Sequence, residues 1–190
     1  MKFKTLLVIL LSLIVILSWS PGELQAADFT ADLPVLITSA GQNDSYKEIK
    51  SFAEKFGVEV LQAEGIVDQS NLKNINTLII VIGINYDKLN QANLSLEAEA
   101  ERIRDLLEGA KNQGIKIIGL YIEDKLTDAD LSLIETVGLF SNYFIVKRPD
   151  ENTGETITKL LEEQDFTYIL INQAVNAGSE LNKILIEPFS

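Results

Sequence analysis

The chain has 190 residues, and its 28 acidic side chains outnumber the 16 basic ones, giving a formal net charge of −12 at pH 7. This excess of negative charge opposes nucleic acids and anionic membrane surfaces as partners, so we expect no nucleic-acid binding. The sequence contains neither cysteine nor histidine, which excludes disulfides, thiolate or imidazole catalysis and metal sites that require those ligands.

The first 26 residues have the three parts of a secretory signal. A short basic start over residues 1–4 precedes an apolar run over 6–17, and Pro21 and Gly22 then break the helix before small residues at Ala26 and Ala27. The run is shorter than the roughly 20 apolar residues that span a bilayer core. We therefore expect an exported protein, secreted or periplasmic, whose residues 1–26 are removed. The alternative is an uncleaved segment that tethers the domain to the membrane.

Strand and helix patterns alternate along the rest of the chain. Residues 27–32 are interpreted as a short linker and residues 33–190 as a single domain. Strand candidates are short apolar runs rich in β-branched residues, and amphipathic stretches separate them. These candidates are residues 33–38, 58–61, 77–83, 115–122, 143–146 and 168–171.

Such alternation indicates βαβ units, right-handed crossovers and a mostly parallel sheet of five to six strands with helices on both faces. The runs that begin at residues 33, 77 and 115 are the most apolar and should be central, whereas the weaker run at residue 58 belongs at an edge. The predicted fold is a doubly wound α/β domain with the flavodoxin-like strand order 2-1-3-4-5-6.

Three helix starts carry capping signals. Ser45 is followed three residues later by Glu48, which is the capping-box pattern, and Ser95 precedes a long amphipathic stretch. Thr127 and Asp130 have the same spacing before the apolar stretch that follows the fourth strand. We expect all three hydroxyl side chains to cap helices.

In a doubly wound sheet, ligands bind beyond the carboxyl ends of the strands, where the chain order reverses. The connections that meet there are residues 39–44 and the unusually long 83–94. The functional interpretation is a polar cradle for a small ligand, in which the first helix contributes its N-terminal dipole. The alternative is that the same residues only form turns and caps. The cradle residues are Ser39, Gln42, Asn43, Asn85 and Tyr86.

Neither a cofactor nor a metal ion is expected. The first connection has no Walker pattern and no GxGxxG, and Asp44 would repel a phosphate, so flavin binding is not predicted. The acidic residues after the fourth strand could chelate a hard cation, but they lack EF-hand spacing and acids are common at helix N-termini. These weak metal candidates are Glu123, Asp124 and Asp128, together with Asp130.

The segment Asp-Leu-Pro-Val-Leu-Ile-Thr-Ser-Ala-Gly-Gln over residues 32–42 resembles the opening of a family of exported bacterial proteins known only as a domain of unknown function. The resemblance continues more loosely through residues 77–83, 96–122 and 143–146. It implies an exported single-domain α/β protein with no assigned activity, and it adds Thr38 and Gly41 to Ser39 and Gln42 as a loop that is worth testing.

Two functions remain open from the sequence. The preferred one is a non-catalytic module that binds a small polar molecule or another envelope protein at the carboxyl ends of the strands. The alternative is a hydrolase-like enzyme that uses Ser39, or the carboxylates of Asp44 and Asp87, in the same crevice. A Gly-x-Ser-x-Gly elbow is missing and no base for Ser39 is evident, which favours binding over catalysis.

Overall fold

The computed structural model describes residues 29–148, 151–163 and 167–186. The signal predicted over residues 1–26 lies outside them. Within the described ranges, no helix is both long enough and apolar enough to cross a membrane.

Eight strands and six helices make up the described part of the chain. The strands are β1 (Ala31–Asp32), β2 (Val35–Ala40), β3 (Val60–Glu64), β4 (Thr77–Ile82), β5 (Lys116–Tyr121), β6 (Tyr143–Lys147), β7 (Tyr168–Ile171) and β8 (Leu185–Ile186). The helices are α1 (Ser45–Lys55), α2 (Tyr86–Gln91), α3 (Leu96–Asn112), α4 (Asp128–Gly138), α5 (Glu151–Glu163) and α6 (Asn176–Ile184), and a short 3-10 helix covers Gln69–Leu72.

Six strands form one parallel sheet in the order β3-β2-β4-β5-β6-β7. Counted along the chain, this is the order 2-1-3-4-5-6, so the predicted flavodoxin-like fold class is confirmed. Every residue of β2 and β4 is buried, as expected for strands that are covered on both faces. The predicted edge strand is also an edge in the structure, and Leu61 in β3 is 57% exposed.

Alternate residues of each strand point to opposite faces of the sheet, and each face has its own apolar layer. Leu78 and Ile80 of β4 belong to the layer under α3, α4 and α5. Ile79 and Val81 of the same strand belong to the layer under α1 and α6. The helices are therefore distributed over both faces, as the alternation of the sequence predicts.

The central strands end level with one another. In the register of the sheet, Ala40 of β2 is opposite Ile82 of β4, and Ile82 is opposite Tyr121 of β5. Because parallel strands place their carboxyl ends on the same edge, the three following connections emerge side by side. The candidate site lies at this edge.

Two of the three predicted caps are confirmed. The Ser95 hydroxyl accepts a hydrogen bond from the Ala98 amide, and Thr127 with Asp130 forms a complete capping box at α4. The prediction for Ser45 is wrong, because α1 starts after Asp44 without a side-chain cap and Ser45 is its first residue. The hydroxyl of Ser45 is directed elsewhere, as described below.

The amino end of the described chain packs onto the domain. The ring of Phe29 stacks on Tyr143 with centroids 5.0 Å apart, and Ala31 is 1% exposed. Strand β1 pairs in parallel with β8 to form a second, two-stranded sheet. Residues 29–32 of the segment interpreted as a linker therefore pack against the domain, with Phe29 partly buried and Ala31 fully buried.

Candidate ligand-binding site

The connections that follow β2 and β4 are bonded to each other. The amide of Gly83 donates to the carbonyl oxygen of Ala40 at 3.0 Å, and the amide of Asn85 donates to that of Gly41 at 2.8 Å. Gln42 and Ile84 add an antiparallel bridge. The crevice predicted between these two connections is therefore closed by backbone hydrogen bonds.

Gly41 makes this closure possible. Its φ of +93° lies in the region that side chains with a Cβ rarely adopt, and a Cβ added there would collide with the carbonyl oxygen of Gly83. Only glycine combines this backbone angle with such a close approach of two chains. The glycine of the first connection is thus explained by packing between two loops.

A buried carboxylate on α3 fixes the connection after β2 through hydrogen bonds. Glu99 on α3 is 0% exposed, and its Oε1 accepts hydrogen bonds from the Gly41 amide at 2.9 Å and from Gln42 Nε2 at 3.1 Å. Gln42 Nε2 also lies 3.1 Å from Glu99 Oε2. The side-chain amide of Gln42, predicted to bind ligand, is therefore occupied by Glu99.

The charge of Glu99 is balanced by Arg102, one helical turn further along α3. Nε and Nη2 of Arg102 donate to the carboxylate at 2.9 and 2.8 Å. The same guanidinium donates to the carbonyl oxygens of Val67 and Ser39, each at 2.9 Å. We call Gly41, Gln42, Glu99 and Arg102 the loop lock.

Burial alone would raise the pKa of Glu99. The hydrogen bonds and positive charge of Arg102, with the donors of Gly41 and Gln42, outweigh this effect and hold the pKa below its ordinary value. The carboxylate is therefore ionised at neutral pH, and it is fully paired. Such a saturated pair is suited to fixing a loop rather than to receiving a ligand.

The remaining predicted residues have different surroundings. Thr38 and Ser39 are both 0% exposed within β2, and the Ser39 hydroxyl has no hydrogen-bond partner in the part of the chain that the structure describes. Tyr86 lies on α2 and is 55% exposed. The side chain of Asn85 caps α2 by accepting from the Lys88 amide at 3.1 Å, and that helix occupies much of the connection predicted as a long loop. Asn43 is 7% exposed.

An open pocket lies next to this closed contact and extends toward β5. It occupies about 490 Å³ at the carboxyl ends of β2, β4 and β5, a size typical of small-molecule sites. Asn43 and Asn85 are the predicted cradle residues that line it, and the others come from the connection after β4, the β5–α4 connection, α1 and α4. The lining residues are Asn43, Ser45, Ile84, Asn85, Glu123, Asp124, Lys125, Thr127 and Asp130.

The centre of the pocket wall is a serine–carboxylate contact. The hydroxyl of Ser45 donates to Glu123 Oε1 at 2.6 Å, and the Ser45 amide donates to Asn43 Oδ1 at 3.0 Å. The side-chain nitrogen of Asn43 is buried and has no hydrogen-bond partner among the described residues. A buried donor without a partner costs about 1–3 kcal/mol, so this amide is available to an acceptor that reaches it.

Gly83 provides the space in which these side chains meet. A Cβ at this position would collide with Nδ2 of Asn43 and would press on the carboxylate of Glu123. The glycine after β4 therefore leaves room for polar groups from two other connections. This is a packing requirement at the pocket itself.

The floor of the pocket is fixed by internal bonds. Asp130, which is 4% exposed, accepts from the amide and hydroxyl of Thr127 at 2.9 and 2.7 Å and from the Ile84 amide at 3.2 Å. The Tyr121 hydroxyl donates to the carbonyl oxygen of Lys125 at 2.7 Å. Burial, with the negative charges of Asp130, Glu123 and Asp124, raises the pKa of Tyr121 and keeps this donor protonated.

Two other carboxylates at this edge are already paired with lysines. Asp124 forms an ion pair with Lys147, whose hydrogen bond and charge lower the pKa of that carboxyl. Asp44 binds both Lys47 and Lys88, which lower its pKa in the same way and connect α1 to α2. Both carboxylates therefore already have a positively charged partner.

The weak metal candidates do not converge. Glu123 is engaged with Ser45 and Asp124 with Lys147, while Asp128 lies in the exposed first turn of α4. Among the residues that the structure describes, no group of three or more acidic side chains is arranged to hold a metal ion.

Sequence reasoning missed the loop lock and half of the pocket. Glu99 lies four residues before Ile103, on the apolar face of α3, and Arg102 follows it by three residues. A charged pair on an apolar helix face is the signal that could have identified the lock. For Ser45 and Glu123 the sequence carries no comparable signal, because 78 residues separate them.

The model of the family described as "Domain of unknown function (DUF6305)" matches residues 32–185. The chain belongs to this family. The resemblance inferred from residues 32–42 is therefore confirmed as a DUF6305 domain, which carries no assigned activity. Comparison with curated proteins finds no matching sequence.

Solved structures resemble the DUF6305 domain only distantly. A CheY-like response regulator receiver domain from Methanospirillum hungatei is 16% identical over 70% of this chain and 97% of its own, with a TM-score of 0.35. A protein from Parabacteroides merdae described as a GDSL-like lipase is 12% identical over 83% and 99%, with a TM-score of 0.41. A catalytic mutant of an acetylxylan esterase from Geobacillus stearothermophilus is 17% identical over 84% of both chains, with a TM-score of 0.33. These scores are too low to bear on function.

Proposed function

We propose that this protein is a non-catalytic module that binds a small polar molecule in the pocket at the carboxyl ends of β2, β4 and β5. The observation that carries the proposal is a pocket of about 490 Å³ with a buried amide nitrogen of Asn43 in its wall that no described residue binds. Glu123 adds a carboxylate whose Oε2 receives no hydrogen bond from a described residue. Hydrogen-bonding capacity that the fold leaves unused is what a ligand needs for orientation.

The position of the pocket supports the same proposal. It lies where the order of the strands reverses, between β2 and β4, and extends toward β5. Ligands of doubly wound domains bind at such a point. A concave site of this size suits a small molecule better than a protein surface, which leaves an envelope protein as the second choice of partner.

A thermal-shift screen of the purified protein tests the proposal. A ligand at 100 times its dissociation constant adds about 2.7 kcal/mol to the free energy of unfolding. We expect a hit whose stabilisation is lost in Glu123→Ala and kept in Glu59→Ala, an exposed glutamate before β3. If libraries of metabolites and cell-wall fragments stabilise neither the wild type nor the control, the proposal fails.

The proposed place of action is outside the cytoplasm. The support is the signal pattern over residues 1–26, since the structural observations do not bear on it. Cell fractionation followed by intact-mass measurement should find a chain that begins at Ala27 in the exported fraction. A full-length mass in the membrane fraction would instead support the tethered form, and a full-length mass in the cytoplasm would refute export.

A hydrolase is the second candidate, and the structure moves it to another serine. Ser39 is buried without a base, whereas Ser45 lines the pocket and already donates to Glu123. In such a reaction the Ser45 oxygen would attack an ester carbonyl, Glu123 would take the proton and return it to the leaving alcohol, and water would release the acid. Hydrolysis of p-nitrophenyl acetate that Ser45→Ala abolishes and Ser39→Ala preserves would establish it.

We rank the hydrolase second for a physical reason. The chain contains no histidine, the side chain that most often serves as general base near neutral pH. The described pocket residues supply a carboxylate acceptor, and Oε1 of that carboxylate already accepts the Ser45 proton in a hydrogen bond. A serine hydroxyl that donates to a carboxylate in this way is suited to stabilising the wall of a binding pocket.

A further inference from the structure

The charged groups of the pocket differ in how far the fold has already neutralised them. Asp124 is paired with Lys147. Asp130 accepts three hydrogen bonds, two from Thr127 and one from the Ile84 amide. These two carboxylates are satisfied by the protein and have little left to offer a ligand.

Three charged groups that line the pocket have no ionic partner among the described residues, namely Glu123, Asp130 and Lys125. Asp130 is buried and its carboxylate accepts three hydrogen bonds, which leaves Glu123 and Lys125 as the two that a ligand can reach. Glu123 accepts only the neutral hydroxyl of Ser45, and Lys125 forms no ion pair. Glu123 and Lys125 are therefore the one negative and the one positive charge that the fold leaves open to a ligand. A ligand that matches both must itself carry a positive and a negative group.

The uncharged donors favour the same pattern. The side-chain nitrogens of Asn43 and Asn85 donate to no described residue, since each amide uses only its oxygen, for the Ser45 and Lys88 amides respectively. Amide nitrogens can donate to a carboxylate but not to an ammonium group. Together with Lys125 they form a donor set for the negative end of a ligand, and Glu123 is the acceptor for the positive end.

The net charge of the protein limits the alternatives. At −12 the chain repels ligands with a net negative charge. A molecule with one charge of each sign experiences no net repulsion. A neutral polyol could occupy the same volume, but it would leave both charged groups of the pocket without a counter-charge.

We propose that the pocket selects a small zwitterion that carries an ammonium group and a carboxylate, the chemistry of a free amino acid. The ammonium group is assigned to Glu123, and the carboxylate to Lys125 and the amides of Asn43 and Asn85. This assignment rests on the proposed binding function and specifies the class of ligand. The volume of about 490 Å³ leaves room for a side chain.

Isothermal titration of the purified protein with the common L-amino acids, D-alanine and D-glutamate provides the first test. The tightest binder is then compared with its carboxamide, which lacks the negative charge, and with its N-acetyl derivative, which lacks the positive charge. We expect each analogue to bind at least about tenfold more weakly, since each loses one charge-assisted contact.

Two variants test which residue binds the ammonium group and which binds the carboxylate of the ligand. Glu123→Gln should weaken the amino acid about tenfold and abolish the preference over its N-acetyl derivative. Lys125→Gln should abolish the preference over the carboxamide instead. The matched controls, Glu59→Gln and Lys116→Gln, change exposed residues that lie at the amino edge of the sheet and should bind like the wild type.

The outcomes separate this inference from the proposed function. If glycerol or a sugar stabilises the protein while no amino acid does, the zwitterion is wrong and the pocket function stands. Equal affinity for the amino acid and both analogues would also overturn the zwitterion, as would binding that neither variant changes. If no small molecule of any class binds, the proposed function itself fails.

Discussion

The loop lock and the pocket lie side by side at the carboxyl edge of the sheet, and they use their polar groups in opposite ways. In the lock, Glu99 is fully buried and both of its oxygens accept hydrogen bonds from Gln42 and Arg102. In the pocket, Asn43 retains an unpartnered nitrogen and Lys125 has no described ionic partner. The difference shows that polar residues at a topological switch point are either fully used by the fold or left with unused hydrogen-bonding capacity, and that their hydrogen-bond partners distinguish the two cases.

The largest expected effect comes from removing the centre of the lock. Glu99→Ala leaves Arg102, whose side chain is 15% exposed, without its carboxylate and leaves the donors of Gly41 and Gln42 unpaired. Breaking a buried pair in this way costs about 3–5 kcal/mol. Urea unfolding measures the loss, and Glu101→Ala, an exposed neighbour on α3, should stay within about 0.5 kcal/mol of the wild type. Equal effects of the two variants would show that the lock does not stabilise the fold.

The contact between the two closed connections gives the next largest effect. Gly41→Ala combines a strained backbone angle with a collision against Gly83 and should cost about 2–5 kcal/mol. Gly57→Ala is the matched control, because its φ of +87° is similar and nothing lies within 4 Å of the added Cβ. It should cost only about 1–2 kcal/mol. The difference between the two losses measures the closure, and no difference would argue against it.

Acid should remove part of the contribution of the lock. The pKa of Glu99 lies below its ordinary value of 4.5 in the folded protein, so its stabilising contribution is present above that pH and is lost as the pH falls through the folded pKa. The difference in the free energy of unfolding between the wild type and Glu99→Gln should therefore shrink as the pH is lowered below about 4.5. Urea unfolding at a series of pH values tests this. A difference that grows in acid would mean that the sign of the shift is wrong.

The smallest expected changes in the free energy of unfolding come from substituting two serines. Ser45→Ala removes the hydrogen bond to Glu123 and should cost about 1 kcal/mol, because the pair is only partly buried. Ser39→Ala removes a buried hydroxyl that has no partner and should be neutral within about 0.5 kcal/mol or slightly stabilising. Thermal unfolding of the two variants measures the difference in stability between them. A large loss at Ser39 would show that its hydroxyl has a role that the hydrogen bonds do not reveal.

The strand order followed from the sequence because burial on both faces leaves a strong compositional mark. Residues 77–82 are all apolar or β-branched, which distinguishes a central parallel strand from the weaker edge strand that starts at Val60. The alternation with amphipathic helices then allowed few topologies. The packing of β1 on β8 was missed, because strands of two residues are too short for any periodicity to be seen.

The site was only partly predictable, for a reason that Ser45 and Gln42 illustrate. Sequence identifies residues that have hydrogen-bonding groups but not the partners of those groups, and Gln42 is bonded to a residue 57 positions away. Ser45 matched a local capping pattern, yet its hydroxyl is used by Glu123 on another connection. Local capping rules consider only hydrogen bonds within one turn of a helix. A partner from a distant part of the chain can take the side chain instead.

The short pairing of β1 with β8 fixes where the two ends of the described chain lie relative to the pocket. Asp32 accepts a hydrogen bond from Thr77, the first residue of β4, so the paired segments of β1 and β8 lie at the amino edge of the main sheet. The pocket opens at the opposite edge, about 20 Å away for strands of six residues. A support, a fusion partner or a membrane that held the domain near residue 29 or residue 186 would leave the pocket on the far side, open to the surrounding solution.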